Sequence, residues 1–334
     1  MISDVNSVSI SEGEEDKEDV IVSVEGLVHK YGDFTAVDGV SFTVRRGEVF
    51  SLLGPNGAGK TTAINALIGL LKPTSGEIYL DGINVIKNPE KVKGSIGIVF
   101  QETILDREMT VWESMEFHGK LYKIPKEERH EKIWELLELV ELSEKVDEIT
   151  RRLSGGMKRR LEIARALMTE PTILFLDEPT LGLDPQGRVL IWEQIRKVNE
   201  RGTTMFLTTH YMEEADRLAD RVFIMDHGKI LISGTPERLK DKLGKDVIFL
   251  YLAEKERARE VLEGFDFINE IVEFDKGLEI VLNGSGVPLA PRIMETLDSL
   301  KPKLAVDGVN IKRPSLDDVF LYFTGRKIRE TDIS

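Results

Sequence analysis

The chain has 334 residues, 41% hydrophobic and 31% charged, a balance suited to one large folded domain and a smaller one. It contains no cysteine, which excludes disulfides, thiolate metal sites and cysteine nucleophiles and fits a reducing compartment. A formal net charge of −14 argues against a general nucleic-acid or anionic-membrane surface, so a cationic site for phosphates has to be local.

Residues 1–19 are polar and acidic and cannot bury enough apolar surface to offset their ordering entropy, which predicts a mobile tail. From Val20 the pattern becomes β-like. Residues 21–24, 40–44 and 77–80 are short and rich in β-branched residues, and they predict an antiparallel layer. Tyr31 lies between the first two. It has two readings, an aromatic face stacked on a purine or a half-buried strand aromatic.

The apolar residues 49–53 predict a buried strand. They run into Gly54, Pro55, Asn56, Gly57, Ala58, Gly59, Lys60, Thr61 and Thr62, and helix-forming residues follow from Ala63. This is the phosphate-binding P-loop pattern in its required strand–loop–helix setting. The glycines let several N–H groups face one anion, and the helix N-terminus adds a favourable dipole. Lys60 brings a point charge to the β- and γ-phosphates, and the Thr61 hydroxyl is placed to reach Mg2+.

Residues 95–100 read as a strand ending at Gln101, and residues 102–150 become charged and helical, predicting a small helical subdomain. Ser154, Gly155 and Gly156 then open a helix. Ser154 serves either as its N-cap or as part of a second anion site. The run Lys158, Arg159, Arg160 reads as a solvated or phosphate-facing edge. Residues 171–178 form a buried strand ending in Asp177 and Glu178. One carboxylate there suits Mg2+, and the other is placed to polarise a water attacking the γ-phosphate. A further strand over 203–209 ends at His210. Gln101, Asp177, Glu178 and His210 therefore converge on one edge of a sheet. The other histidines, His29, His118, His130 and His227, read as structural or solvated.

A hairpin over 221–234 closes the first domain near residue 240. The order strand, helix, two strands, helix, strand, helix over 245–325 predicts a small α+β module of ferredoxin-like order, with a role in dimer support or regulation. Residues 326–334 are read as a tail. No apolar run approaches the ~18–20 residues that span a bilayer, and the first residues lack a signal-peptide pattern. Work at a membrane is therefore expected to depend on another chain.

Over about residues 21–240, within a domain expected over 20–240, the ordered motifs resemble the ATP-binding subunits of ABC transporters. They are the P-loop (54–62), Gln101, the signature Leu153–Ser154–Gly155–Gly156–Met157, the strand ending in Asp177 and Glu178, the turn 181–184, and His210. Met157 stands where the family commonly has Gln. The ending 314–325, with a single ATPase domain, is similar to the daunorubicin-resistance branch, whose ATPases pair with separate ABC-2-type permeases. The resemblance implies a P-loop NTPase (RecA-like) α/β core with an antiparallel β-subdomain and a helical subdomain over about 102–160. It also implies a head-to-tail homodimer with two sandwiched ATP molecules, no nucleic-acid partner, and a cytoplasmic place at the inner face of the membrane. Tyr31 would stack on adenine, and residues 54–62 would hold the phosphates. Thr61, Gln101 and Asp177 would hold Mg2+. Glu178 would be the general base, with Lys60 and His210 around the γ-phosphate, and Ser154, Gly155 and Gly156 would reach the other subunit's ATP. The alternative is a soluble ABC-type ATPase uncoupled from any permease.

Overall fold

The computed structural model describes residues 19–242, 246–283, 286–300, 302 and 304–324. The tails expected over 1–19 and 326–334 lie outside these residues, Asp19 excepted. The chain divides into two compact units. Of the described residues, one comprises those up to Phe50, Asn56–Thr208 and His227–Lys229, and the other Ser51–Pro55, Thr209–Asp226 and those from Ile230 onward.

The first unit begins with two twelve-residue strands, β1 (Val20–Tyr31) and β2 (Phe34–Arg45), paired antiparallel. The sequence predicted only a four- or five-residue piece of each. Their far ends carry His29, Lys30 and Asp38, which break the apolar pattern, and the register shifts between Val24 and Leu27 and again near His29. Such bulges bend a strand and let both kinds of residue share it. The fully buried β3 (Val49–Leu53) leads through the glycine loop into α1 (Lys60–Leu67). The strands β4 (Ser75–Leu80) and β5 (Ile83–Asn84) complete the expected antiparallel layer in the order β2-β1-β4-β5.

After the short α2 (Pro89–Val92) comes β6 (Ile96–Val99) and then the helical region, α3 (Val111–Leu121), α4 (Lys126–Leu139) and α5 (Gly155–Leu167). A capping box starts α3, with Thr110 and Glu113 each bonding the other's backbone N–H. Arg129 ties α4 to α3 by a two-pronged ion pair with Glu116, at 2.7 and 2.8 Å. The buried β7 (Ile173–Asp177), α6 (Pro185–Asn199) and β8 (Thr204–Thr209) follow. β6, β7 and β8 pair in parallel, and the start of β3 lies next to β8. Their near-continuous apolar sequences are those of strands covered on both faces. Phe42, Phe50, Phe206 and Phe175 form a chain of ring contacts at 4.8–5.3 Å, joining β2 to β3, β8 and β7. Each such ring contributes about 1.5–3 kcal/mol by burial alone.

In the second unit the end of β3 lies beside β9 (Arg221–Asp226) and then β10 (Lys229–Gly234), flanked in sequence by α7 (Met212–Leu218) and α8 (Pro236–Asp241). The remaining elements are β11 (Val247–Tyr251), α9 (Lys255–Leu262), β12 (Ile268–Phe274), β13 (Gly277–Leu282), α10 (Gly286–Asp298), β14 (Gly308–Lys312) and α11 (Leu316–Thr324). The four strands form an antiparallel sheet in the order β12-β13-β11-β14, the predicted ferredoxin-like arrangement. Ile248, Leu250, Leu278 and Ile280 point to one face and share a core with Leu262, Ile293 and Leu297 of the helices. α11 packs elsewhere. Its Leu316, Val319 and Phe320 join Leu53, Ala215, Val222, Ile224 and Leu239.

Candidate active site

The loop between β3 and α1 takes its shape from glycine. Gly57 and Gly59 have φ of 82° and 106°, a left-handed backbone that side chains resist. Gly54 is buried and donates its N–H to the Thr209 carbonyl at 3.1 Å, and the Gly228 N–H donates to the Ala58 carbonyl at 3.0 Å. No side chain caps the start of α1, and an uncapped helix N-terminus behind a glycine loop is suited to cradle an anion.

Behind the cradle the side chains are buried. Lys60 is 4% exposed, and its Nζ lies 3.2 Å from Oε1 of Glu178, whose side chain is 6% exposed. Glu178 follows β7 with φ of 47°, a strained backbone for a residue bearing a side chain. Its N–H donates to both the carbonyl and the hydroxyl of Thr208, at 3.1 Å each, which hold that geometry. Asp177, at the last position of β7 and opposite Thr208 in register, accepts from the Thr208 hydroxyl at 2.5 Å and from the Thr61 hydroxyl at 3.3 Å. Burial pushes the Asp177 carboxyl above its ordinary range, against the pull of those two hydroxyls.

A cleft of about 320 Å³ opens over these groups, lined by Tyr31, Phe34 and Ala36 on one side and by Asn56, Gly57, Gly59, Lys60, Thr61, Thr62, Gln101 and Glu178 on the other. Tyr31 and Phe34 flank the β1–β2 turn and are 51% and 63% exposed. Tyr31 is the last residue of β1 and packs edge-on against His29 at 4.6 Å while lining the cleft, so the structure is compatible with both readings of it.

The structure thus brings together Tyr31, the glycine loop from Asn56, Gln101, Asp177 and Glu178. Gly54, Pro55 and His210 belong to the second unit, where His210 directly follows the last residue of β8 and its ring centroid lies 4.0 Å from that of Tyr211, the two rings tilted by 39°. Ser154, Gly155 and Gly156 do not line the cleft. Ser154 caps α5 by accepting the Met157 N–H at 3.2 Å. The reading of Lys158, Arg159 and Arg160 as a solvated or phosphate-facing edge is corrected for Arg160, whose largely covered side chain donates to the Val140 carbonyl at 2.9 Å, and for Arg159. The helix period turns that residue inward, where it is buried against backbone carbonyls. Sequence reasoning also passed over Phe34, an aromatic just beyond the turn from Tyr31, and Thr208, two positions before His210.

A glycine loop opening a helix, a buried lysine and paired carboxylates at the end of one parallel strand, β7, define a P-loop nucleoside-triphosphate-binding protein. A family model described as ABC transporter matches residues 37–181. The daunorubicin resistance ATP-binding protein DrrA3 of Streptomyces coeruleorubidus is 38% identical, over 93% of this chain and 99% of its own length. The Nod factor export ATP-binding protein I of Ralstonia nicotianae is 40% identical, over 93% of this chain and 95% of its own. A solved dimeric ATP-binding cassette in a post-hydrolysis state with ADP and Pi matches with a TM-score of 0.58 and 30% identity, over 64% of this chain and 98% of its own. The chain belongs to the ABC transporter ATP-binding family and is an ATPase subunit of that kind.

Proposed function

We propose that this chain powers an ABC-2-type exporter. It would hydrolyse ATP at the cytoplasmic face of the membrane, as a head-to-tail homodimer bound to a separate permease. The observation that carries the reading is the buried Lys60–Glu178 pair at the floor of the cleft, beside Asp177 and the glycine loop. The drug-resistance and export proteins it matches along nearly their whole length support the direction of transport, and the dimeric cassette supports the assembly. The division into a cassette over 20–240 and an accessory module over 245–325 is part of the same proposal.

Residues 54–62 hold the triphosphate, with Lys60 on the β- and γ-oxygens and Tyr31 and Phe34 on the base. Thr61 and Asp177 place two oxygens 3.3 Å apart beside the loop, and the desolvated Asp177 carboxylate is a donor that a hard cation satisfies. These residues fit Mg2+, with Gln101 as the third. When bound, the ion neutralises charge building on the phosphates. Glu178 takes the proton of the water that attacks the γ-phosphorus as the bond to ADP breaks, and His210 orients both. Ser154, Gly155 and Gly156 of one subunit close on the γ-phosphate held by the other. Catalysis here is chiefly positioning and electrostatics.

Among the described residues no helix is long and apolar enough to cross a membrane, and in this proposal the separate permease provides the path. Its docking face is a 330 Å³ cavity between β6 and the helices α3 and α5, where Leu70, Ile104 and Tyr122 are exposed, together with the exposed Phe117 and Leu121 of α3. Affinity purification from membranes of the source cell, with ATP turnover measured on the captured complex, tests the whole. A co-purifying polytopic protein that stimulates turnover is expected. A monodisperse soluble ATPase that captures none would favour the permease-free alternative.

A further inference from the structure

We propose that Arg159, backed by Glu162 and Arg165 on α5, is a positioning residue that locks the Gln101 segment and the backbone of Glu178 to the helix opened by Ser154. The proposal rests on the catalytic reading of Glu178 and Gln101 given above.

Segment 100–104 is neither helix nor strand, so its backbone polar groups need partners from elsewhere. One side of α5 supplies them. The Arg159 guanidinium, 6% exposed, donates to the carbonyls of Phe100 at 2.5 Å, Gln101 at 3.0 Å and Glu178 at 3.4 Å. It also pairs with Glu162 at 3.2 Å. Glu162 in turn accepts the Ile104 N–H at 2.7 Å through its other oxygen. Arg165 donates to the Ile104 carbonyl at 2.8 Å. Residues three apart are neighbours on a helix, so the three side chains form one ladder.

The consequence is geometric. Glu178 is held in its strained conformation from two directions, by Thr208 at its N–H and by Arg159 at its carbonyl. The same guanidinium fixes the carbonyl of Gln101, whose side chain lines the cleft. The planar fork of five donors on arginine serves three carbonyls and the Glu162 carboxylate at once, one acceptor more than the three donors of a lysine ammonium can meet. A shift of α5 therefore moves Gln101 and Glu178 together, and a misplacement near 1 Å costs on the order of 10²-fold in rate. Because Ser154 opens the same helix, closure on the second subunit's nucleotide is conveyed to the first subunit's own base.

The test uses the full chain carrying Arg159→Lys, Arg159→Gln or Glu162→Gln, with Glu178→Gln as reference. Turnover, KM for Mg–ATP and ATP affinity are measured, together with hydrogen exchange across residues 100–104. Arg159→Lys is expected to lose about 10–10²-fold in kcat with ATP affinity changed less than about threefold, and exchange of the Gln101 segment is expected to rise. A role in buried charge alone predicts rescue by lysine, so wild-type kcat in Arg159→Lys overturns the proposal. If the Arg159 variants fail to fold, Glu162→Gln carries the test. It keeps an acceptor for the Ile104 N–H and removes the ion pair, with about 2–10-fold lower kcat expected and unchanged kcat overturning the proposal. If Glu178→Gln itself keeps full turnover, the catalytic reading fails instead, so the two failures are separable.

Discussion

Replacing Glu178 by Gln makes a sharp demand on the site because the carboxylate has two tasks. It sits 3.2 Å from the Lys60 ammonium with both side chains almost fully covered. At an effective dielectric of about 20 the gross attraction at that separation is roughly 5 kcal/mol. Desolvation offsets much of it, but removing one partner of a buried pair costs about 3–5 kcal/mol, because the other charge loses its counterpart. Glutamine still offers Lys60 a carbonyl oxygen, so about 1–3 kcal/mol is the expected loss of stability in ligand-free protein. A triphosphate entering the wild-type site competes with Glu178 for Lys60 and faces its negative charge. In the variant the negative charge is gone and only a neutral carbonyl competes for Lys60, so ATP should bind about tenfold tighter or more, which is about 1.4 kcal/mol. Differential scanning calorimetry without nucleotide, and titration calorimetry with ATP in EDTA so that neither protein turns over, measure the two effects. Hydrolysis with Mg2+ should fall by about 10²–10⁴-fold. Equal melting temperatures and equal ATP affinities would refute the pairing and with it the charge balance assigned to the site.

Thr208→Val removes the hydroxyl that donates to Asp177 and accepts from Glu178. Losing such support typically costs 10–100-fold in metal affinity or activity, so a Mg2+ titration of turnover should shift right by that amount, and an unshifted curve would detach Asp177 from the metal. Arg129 holds the Glu116 carboxyl down to about 2, well below its usual 4.5. A depressed acid adds stability above its unfolded pKa and loses it as pH falls toward the folded one. Glu116→Gln should therefore flatten the melting curve against pH between about 4.5 and 2, and an unchanged acid limb would count against that pair. Phe320→Ala removes a ring from the cluster containing Leu53. Large-to-small truncation of this kind costs about 3–5 kcal/mol, and denaturant unfolding that shows less than about 1 kcal/mol would mean α11 is not seated there.

What was legible in the sequence was what depends on neighbours along the chain. The glycine loop, the apolar strand before it and the acids closing β7 are local patterns, and each lies where expected. The split βαβ order of β11 to β14 followed from alternating residues and turn positions. The long β1–β2 hairpin was read short because bulged, half-solvated strand ends carry polar residues. Arg159 was misread because a basic triplet looks uniformly outward until the helix period is set against a loop 58 residues away. The seat of α11 and the support from Thr208 are tertiary facts with no local signature.

Light scattering of the Glu178→Gln protein, with and without saturating Mg–ATP, tests most directly whether two cassettes close around shared nucleotide. A mass twice the 37.7 kDa protomer on adding ATP, lost again when Ser154→Arg places bulk and charge at the closing corner, is the predicted result. A particle that stays at protomer mass at every ATP concentration, or a Ser154→Arg protein that still doubles, would contradict it.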